Sequence, residues 1–213
     1  MDNNLKQVIE KRVMRTIKNL EKRSMNGYFI KNIDELYRTI NSIIPDESVV
    51  SVGGSMTLFE SGVIEYLRAR NVKFLDRYAE NLTKENIEQI YRESFFADGY
   101  FASTNAITEE GEIYNVDGRG NRVAAMIYGP KKVILIVGTN KIVKDIDEAI
   151  ERNRRVSAPA NVVRLNMDTP CHETGYCTQC NSPSRICNIY TIIDRQFDKD
   201  RIHVIFMDGS YGY

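Results

Sequence analysis

The chain has no tryptophan, two histidines, five prolines and no excess of either charge, with 29 Lys+Arg against 29 Asp+Glu in 213 residues. That zero balance excludes a nucleic-acid binder relying on bulk positive charge. Long apolar runs are missing as well. The longest clean one, Val133 to Val137, falls far short of the ~20 residues a membrane span requires. The first residues, MDNNLKQVIEKRVMRTIKNLEKR, are charged throughout and lack the apolar core of a signal peptide. A cytoplasmic protein is expected, with neither nucleic acid nor membrane as partner. No Gly-Lys-Ser/Thr follows the glycines and no G-x-G-x-x-G occurs, so neither a Walker A loop nor a dinucleotide fingerprint is present. What remains is ordinary for a globular chain, 42% hydrophobic and 27% charged. At this length roughly 70% of the unfolded surface is buried on folding, so no disulfide is needed. One domain over 1–213 is expected.

Residues 1–24 predict an amphipathic helix, with Leu5, Val8, Ile9, Val13, Ile17 and Leu20 on one stripe packing onto the domain. Strands and helices then alternate. Tyr28-Phe29-Ile30, Ser48 to Val52, Val72 to Leu75, Gly99 to Ser103, Lys132 to Val137, Val162 to Leu165 and Ile202 to Phe206 read as strands. Helices are expected through Asp34 to Ile43, Met56 to Leu67, Lys84 to Phe96 and Lys141 to Arg154. Glu112 to Asn115 and Arg122 to Ile127 read as two further strands joined by a glycine-rich turn. The continuous run Val133-Ile134-Leu135-Ile136-Val137 suits a central strand covered on both faces. The pattern predicts an α/β fold with a mostly parallel sheet flanked by helices.

Two glycine loops stand out. In VVSVGGSMTLFESG, Gly53, Gly54, Ser55 and Thr57 lie between a strand and a helix. Glycines let backbone N–H groups approach an anion, hydroxyls add donors, and ligands of open parallel sheets bind at strand carboxyl ends. A tight turn with a Ser or Thr cap accounts for the same residues without a ligand. In the second loop, Asp117-Gly118 has the chemistry of a hairpin. Asn105, Asn121 and Arg122 offer directional hydrogen bonds to a carboxylate or phosphate.

At Ser51 to Thr57, at Ala97 to Ile107, and on through Gly111, the Asp117–Arg122 loop and the strand leading to Gly138, the chain resembles the LUD family, associated with lactate utilisation. The similarity runs over roughly residues 5 to 166. It implies a NagB/RpiA/CoA-transferase-like scaffold, and in sugar-phosphate isomerases of that group a Gly-Ser/Thr loop holds phosphate. That role maps onto Gly53, Gly54, Ser55 and Thr57 by analogy. It also implies action with an iron–sulfur partner protein in oxidising L-lactate to pyruvate. The CoA-transferases of the scaffold use a glutamate nucleophile. Glu60, Glu109, Glu110 and Glu112 lie near the loops, and for each a surface carboxylate is the plainer reading.

All four cysteines, Cys171, Cys177, Cys180 and Cys187, fall in one 17-residue window spaced C-x5-C-x2-C-x6-C. Pro170, Gly175 and Pro183 make 168–190 a loop able to wrap an ion. Four thiolates suit tetrahedral Zn²⁺ or a [4Fe–4S] cluster. Two disulfides are disfavoured for a chain without a signal peptide. Three close ligands and a fourth further on favour the cluster, as does the redox-linked resemblance, with zinc the alternative. His172 reads as a solvated loop residue and His203 as a packed one. The expectation is a redox enzyme subunit acting on a small anion such as L-lactate. The alternatives are a non-catalytic relay subunit, or an isomerase- or transferase-like enzyme with structural zinc. Self-association into a homo-oligomer stays open.

Overall fold

The computed structural model describes residues 2–213. The opening helix α1 (Asn3–Lys22) is capped by Asp2, whose carboxylate accepts from the Asn4 and Leu5 N–H groups. Its stripe buries Val13, Ile17 and Leu20, while Leu5 and Val8 stay exposed because the first turns overhang the domain. There follow β1 (Asn26–Ile30), α2 (Ile33–Ile43), β2 (Val49–Val52), α3 (Met56–Glu60), α4 (Val63–Ala69), β3 (Lys73–Leu75), α5 (Lys84–Glu93) and β4 (Gly99–Ala102). The middle holds β5 (Ala106–Thr108), β6 (Ile113–Asp117), α6 (Asn121–Ile127), β7 (Lys132–Gly138), β8 (Ile142–Val143) and α7 (Ile146–Arg152). A π-helical stretch over Asn153–Ser157 leads into α8 (Ala158–Leu165), and the chain closes with α9 (Pro170–Thr174), β9 (Ile189–Ile193) and β10 (Ile202–Met207).

Six strands form an all-parallel sheet in the order β1-β10-β7-β4-β2-β3. The central strand β7 feeds both faces: Val133, Leu135 and Val137 pack toward α1, while Ile134 and Ile136 pack toward α2, α3 and α4. A second, mixed sheet runs β8-β5-β6-β9. No helix among the described residues is long and apolar enough to cross a membrane.

Several local expectations are overturned. Arg122–Ile127 is helical, not a strand; Gly120 sits left-handed at φ +84° and redirects the chain after β6 into α6. The partners of β6 are β5 and β9 instead. Val162–Leu165 belongs to α8, where Val162 is buried and Val163 and Leu165 face out, and Asn166 ends the helix at φ +50°. The helix expected over 141–154 begins only at Ile146, after β8, and its continuation is π-helical. The helix after the first glycine loop is broken in two by Gly62 at φ +70°. The cysteine window opens with a helical turn, α9, and leads into β9, an edge strand that nothing in the sequence announced.

Strand order reverses around β2: the chain goes from β2 to β3 on one side, then returns to β4 on the other. A crevice at the carboxyl ends of β2 and β4 follows from that switch. There Gly53 continues the pairing by donating to the Phe101 carbonyl (2.8 Å). The loops after β3, β7 and β10 open on the same edge.

Candidate functional site

A cleft of about 410 Å³ sits on this edge, within the roughly 300–1,000 Å³ typical of small-molecule sites. Gly54, Ser55, Asn105, Asn121 and Arg122 line it; Gly53 and Thr57 stand behind the lining. The glycines differ in role. A Cβ on Gly53 would come within 2.9 Å of Arg122 Cγ and of the Tyr100 hydroxyl, so the loop rests directly on Arg122. On Gly54 the nearest atom would be Arg77 Nη1, at 3.6 Å. The Ser55 hydroxyl caps no helix N–H, which removes the cap explanation for that residue.

Arg122 is buried, and all five of its N–H groups are engaged. Nε donates to Asp117 (3.0 Å), Nη1 to the Ser103 carbonyl and Asn115 Oδ1 (3.0 and 2.6 Å), and Nη2 to Asn105 Oδ1 and the Val116 carbonyl (3.1 Å each). It therefore ties β4, β6 and α6 together and has no donor left for a ligand. Asn105 commits its Oδ1 in the same way, accepting also from the Val116 N–H (3.0 Å).

Nothing in the sequence singled out Lys141, which read as the start of a helix; its position just past the carboxyl end of the central strand was the available signal. The side chain lines the cleft yet is 3% exposed. Its Nζ meets Thr57 Oγ1 (2.9 Å), Ser103 Oγ (3.1 Å) and the Thr104 carbonyl (3.2 Å). Burial pushes its pKa down to about 7, the charges of Arg152 and Arg122 push the same way, and Glu60 opposes them. Arg152, itself lowered to about 10 by burial, donates to the Asn105 carbonyl (2.6 Å) and Ser157 Oγ (2.8 Å). Ser157 lies in the π-helical stretch and lines the cleft, a placement such segments often have.

Among the residues lining the cleft, Asp117 is the one carboxylate, and it is spent on Arg122. None of the four glutamates noted in the sequence lines it. Glu109 pairs with Arg12 and Arg15, Glu112 accepts from Thr108 (2.9 Å), and Glu60 accepts from the Gly212 N–H (2.6 Å). Glu110 takes only a long contact from Asn19 (3.5 Å).

The four cysteines are free thiols, Cys171 buried and the others half-buried. Burial pushes the Cys187 thiol up to about 11, the charges of Cys177, Cys171 and Cys180 push the same way, and Arg185 opposes them. The Cys177 sulfur accepts from the Gln179 N–H (3.4 Å), with Gln179 left-handed at φ +54°. A backbone N–H aimed at sulfur is a contact that metal-binding turns also make. Among the described residues, however, no three His, Cys, Asp or Glu side chains stand at the spacing of a formed ion site. The donor set thus fits a thiolate-bound ion or cluster in kind, and the sulfurs would have to draw together around it. His172 sits half-buried in the helical turn α9 beside Glu173 (2.8 Å), where a solvated loop residue was expected, and His203 is packed between the Tyr28 hydroxyl (3.0 Å) and the Asp200 carbonyl (2.9 Å), as expected.

The cysteine segment is also a wall of the cleft, to which Met167, Arg185, Ile186 and Asn188 contribute. Arg185 joins the two features by donating to the carbonyls of Cys180 (2.7 Å) and Cys187 (2.9 Å). From the other side, the Cys177 N–H donates to the Arg154 carbonyl (3.0 Å) in the π-helical stretch.

A family model described as LUD domain matches residues 13–207, past the stretch that carried the resemblance in the sequence and through all four cysteines. Among solved structures, the chain is similar to that of a DUF162 family protein from Deinococcus radiodurans, with a TM-score of 0.52. Identity is 13%, over 93% of this chain and 98% of that one, so the likeness speaks for the fold alone. No curated protein matches the chain.

Proposed function

The chain belongs to the LUD domain family, and from that premise we propose that it is a lactate-utilisation-type redox subunit acting on a small anion such as L-lactate. The observation that carries this reading is the shared wall: the segment bearing four thiols also lines a cleft rich in arginine, with Arg185 bonded to two of the cysteine carbonyls. Cys171, Cys177, Cys180 and Cys187 would hold a [4Fe–4S] cluster, which when bound supplies one-electron transfer at the edge of the substrate site.

Oxidising L-lactate to pyruvate removes two electrons and two protons, one proton from the hydroxyl and one from C2. Two electrons exceed what one cluster carries at once, so an iron–sulfur partner protein that accepts two electrons is the fitting acceptor, and the C2 hydrogen would leave to that acceptor with them. The chain's own part is to bind and to move a proton. Thr57 donates its hydroxyl to the Tyr211 carbonyl (3.0 Å) and so can only accept from Lys141, as can the Thr104 carbonyl. A neutral Lys141 therefore keeps its lone pair for the Ser103 hydroxyl, which lines the cleft. Ser103 can relay the substrate's hydroxyl proton to Lys141 at neutral pH.

Protein purified without air tests the reading. It should be brown, absorb near about 400 nm and carry roughly four iron atoms per chain. Replacing Cys177 and Cys180 with Ala should remove the colour. Lactate-dependent reduction of an artificial acceptor by the protein alone supports an enzyme subunit, whereas activity only after adding a partner makes it a relay. Colourless protein with about one zinc per chain would overturn the redox reading in favour of an isomerase- or transferase-like enzyme with structural zinc.

A further inference from the structure

The segment after β10 turns over the carboxyl edge of the sheet and lies across the Lys141 end of the cleft. Thr139 and Asn140, in the turn just before Lys141, hold it on one side. The Thr139 hydroxyl donates to the Gly209 carbonyl (3.1 Å), the Tyr211 N–H to Asn140 Oδ1 (3.2 Å), and Asn140 Nδ2 to the Gly212 carbonyl (3.1 Å). On the other side α3 holds it, with the Thr57 hydroxyl donating to the Tyr211 carbonyl (3.0 Å) and the Gly212 N–H to Glu60 Oε2 (2.6 Å). Tyr213 then joins the lining of the cleft, its hydroxyl toward Arg164 of α8. Residues 209–213 thus form a strap between two walls.

Gly212 makes the closest approach. It is left-handed at φ +61°, and a Cβ there would fall 2.5 Å from Thr57 Oγ1, 2.9 Å from the Thr57 nitrogen and 3.4 Å from Lys141 Nζ. Only glycine combines that backbone with that approach. The strap therefore lies directly on the amine and contributes to its burial, which leaves Lys141 3% exposed. The charged groups that act on Lys141 are Arg152 on α7, Arg122 on α6 and Glu60 on α3. Gly209-Ser210-Tyr211-Gly212-Tyr213 carries no charged side chain, so the strap acts on the amine by excluding water. Of the partners of Nζ, Thr57 stands behind the lining and Thr104 offers only a carbonyl. Ser103 alone brings an exchangeable proton from the cleft.

We infer that Gly209–Tyr213 is a positioning element of the site: Gly212, lying on Thr57 and Lys141, keeps water off the amine and leaves Ser103 as its proton route to the substrate. The inference rests on the part of the proposed function that makes Lys141 the proton acceptor, and on neither lactate nor a bound cluster. A covered amine stays uncharged at a pH where an open lysine is charged. Lifting the strap therefore puts the proton back on Lys141 and ends the relay from Ser103.

Pulse acetylation of the full chain with acetic anhydride across a range of pH, read by peptide mass spectrometry, tests this without ligand or metal. In the parent, Lys141 should label with a midpoint at about pH 7. Its labelling should also be about tenfold or more slower than that of the exposed Lys144. Gly212→Ala should lift the strap, raise the Lys141 midpoint by about one pH unit or more and speed its labelling by about tenfold. Asn140→Ala removes two of the strap's bonds without crowding Thr57, and should move both quantities the same way by less. Ser210→Ala, at an exposed strap position, should move neither. Both strap variants must keep a cooperative melting transition, and where Gly212→Ala does not, Asn140→Ala carries the test. A parent midpoint near 7 that the variants leave in place would overturn the strap's role while sparing the proton acceptor. Faster labelling at an unmoved midpoint would overturn it too, because the strap would then only shield the amine from reagent. A parent midpoint near the ordinary 10.5 would remove Lys141 as the proton acceptor, and the inference with it.

Discussion

Gly53 and Gly54 are neighbours in sequence and meet opposite constraints. The first is wedged against Arg122, whose five hydrogen bonds hold it in place, and against the buried Tyr100. Gly53→Ala should therefore destabilise by about 1–3 kcal/mol through overpacking. Gly54→Ala meets only ordinary contacts at a backbone any residue can adopt, and should shift stability by less than ~1 kcal/mol, in the stabilising direction. Equal midpoints for the two variants in urea unfolding would contradict this account. Lys141 gives a second residue-level prediction. Its folded pKa, about 7, lies below the ordinary lysine value of 10.5, so between those values the unfolded chain binds the extra proton. Stability must then rise with pH across that window. The melting temperature should climb from pH 7 to pH 9, and Lys141→Met should flatten the climb. A wild-type profile as flat as the variant's would mean that Lys141 stays charged in the fold.

At the scale of elements, Arg122 does the work that a strand pairing was expected to do. The sequence suggested a hairpin between β6 and 122–127; the structure instead turns at Gly120 into α6 and fastens that helix to β6 and β4 through one guanidinium. The error has a physical source. Val123-Ala124-Ala125-Met126-Ile127 is a short apolar run, and runs of this length suit a strand or a buried helix equally well. Val162–Leu165 failed for the same reason. The core strands of the parallel sheet were legible because a run such as Val133–Val137 has no polar face to satisfy. The edge strand β9 was not, since its alternation of half-buried and exposed residues covers five positions only. Gly54, Ser55, Asn105, Asn121 and Arg122 were also legible as a group and line one cleft, with Gly53 and Thr57 behind it. Lys141, Arg77 and Arg152 were not, because burial of a cation is set by distant parts of the chain. Removing the Arg122 fastening is the test at this scale. Arg122→Met removes a buried guanidinium from the half-buried Asp117 carboxylate and from the Ser103 and Val116 carbonyls, and should cost about 3–5 kcal/mol in chemical denaturation. A loss under 1 kcal/mol would show that the other contacts of α6 suffice.

For the molecule as a whole, the two halves of the site differ in how they are held. The cleft's floor belongs to the parallel sheet, whose central strands are wholly buried on both faces. Its outer wall is the cysteine segment, built from a five-residue helix, turns and few buried side chains. Such a segment opens locally at far lower free energy than the sheet does. A ligand that binds only the folded arrangement of four thiols adds its binding energy to that segment first. Because Arg185 links the carbonyls of Cys180 and Cys187 to the cleft, ordering the thiols also fixes a cationic part of the wall. Loading the protein with iron and sulfide, or with zinc, should thus slow amide exchange across 170–188, at Gln179 above all. Exchange in β7 and β10 should stay unchanged. Chelation should reverse the protection and weaken anion binding several-fold, without unfolding the sheet. Uniform protection across both regions would make the metal a global staple, and unchanged anion affinity on chelation would separate the thiol segment from the cleft.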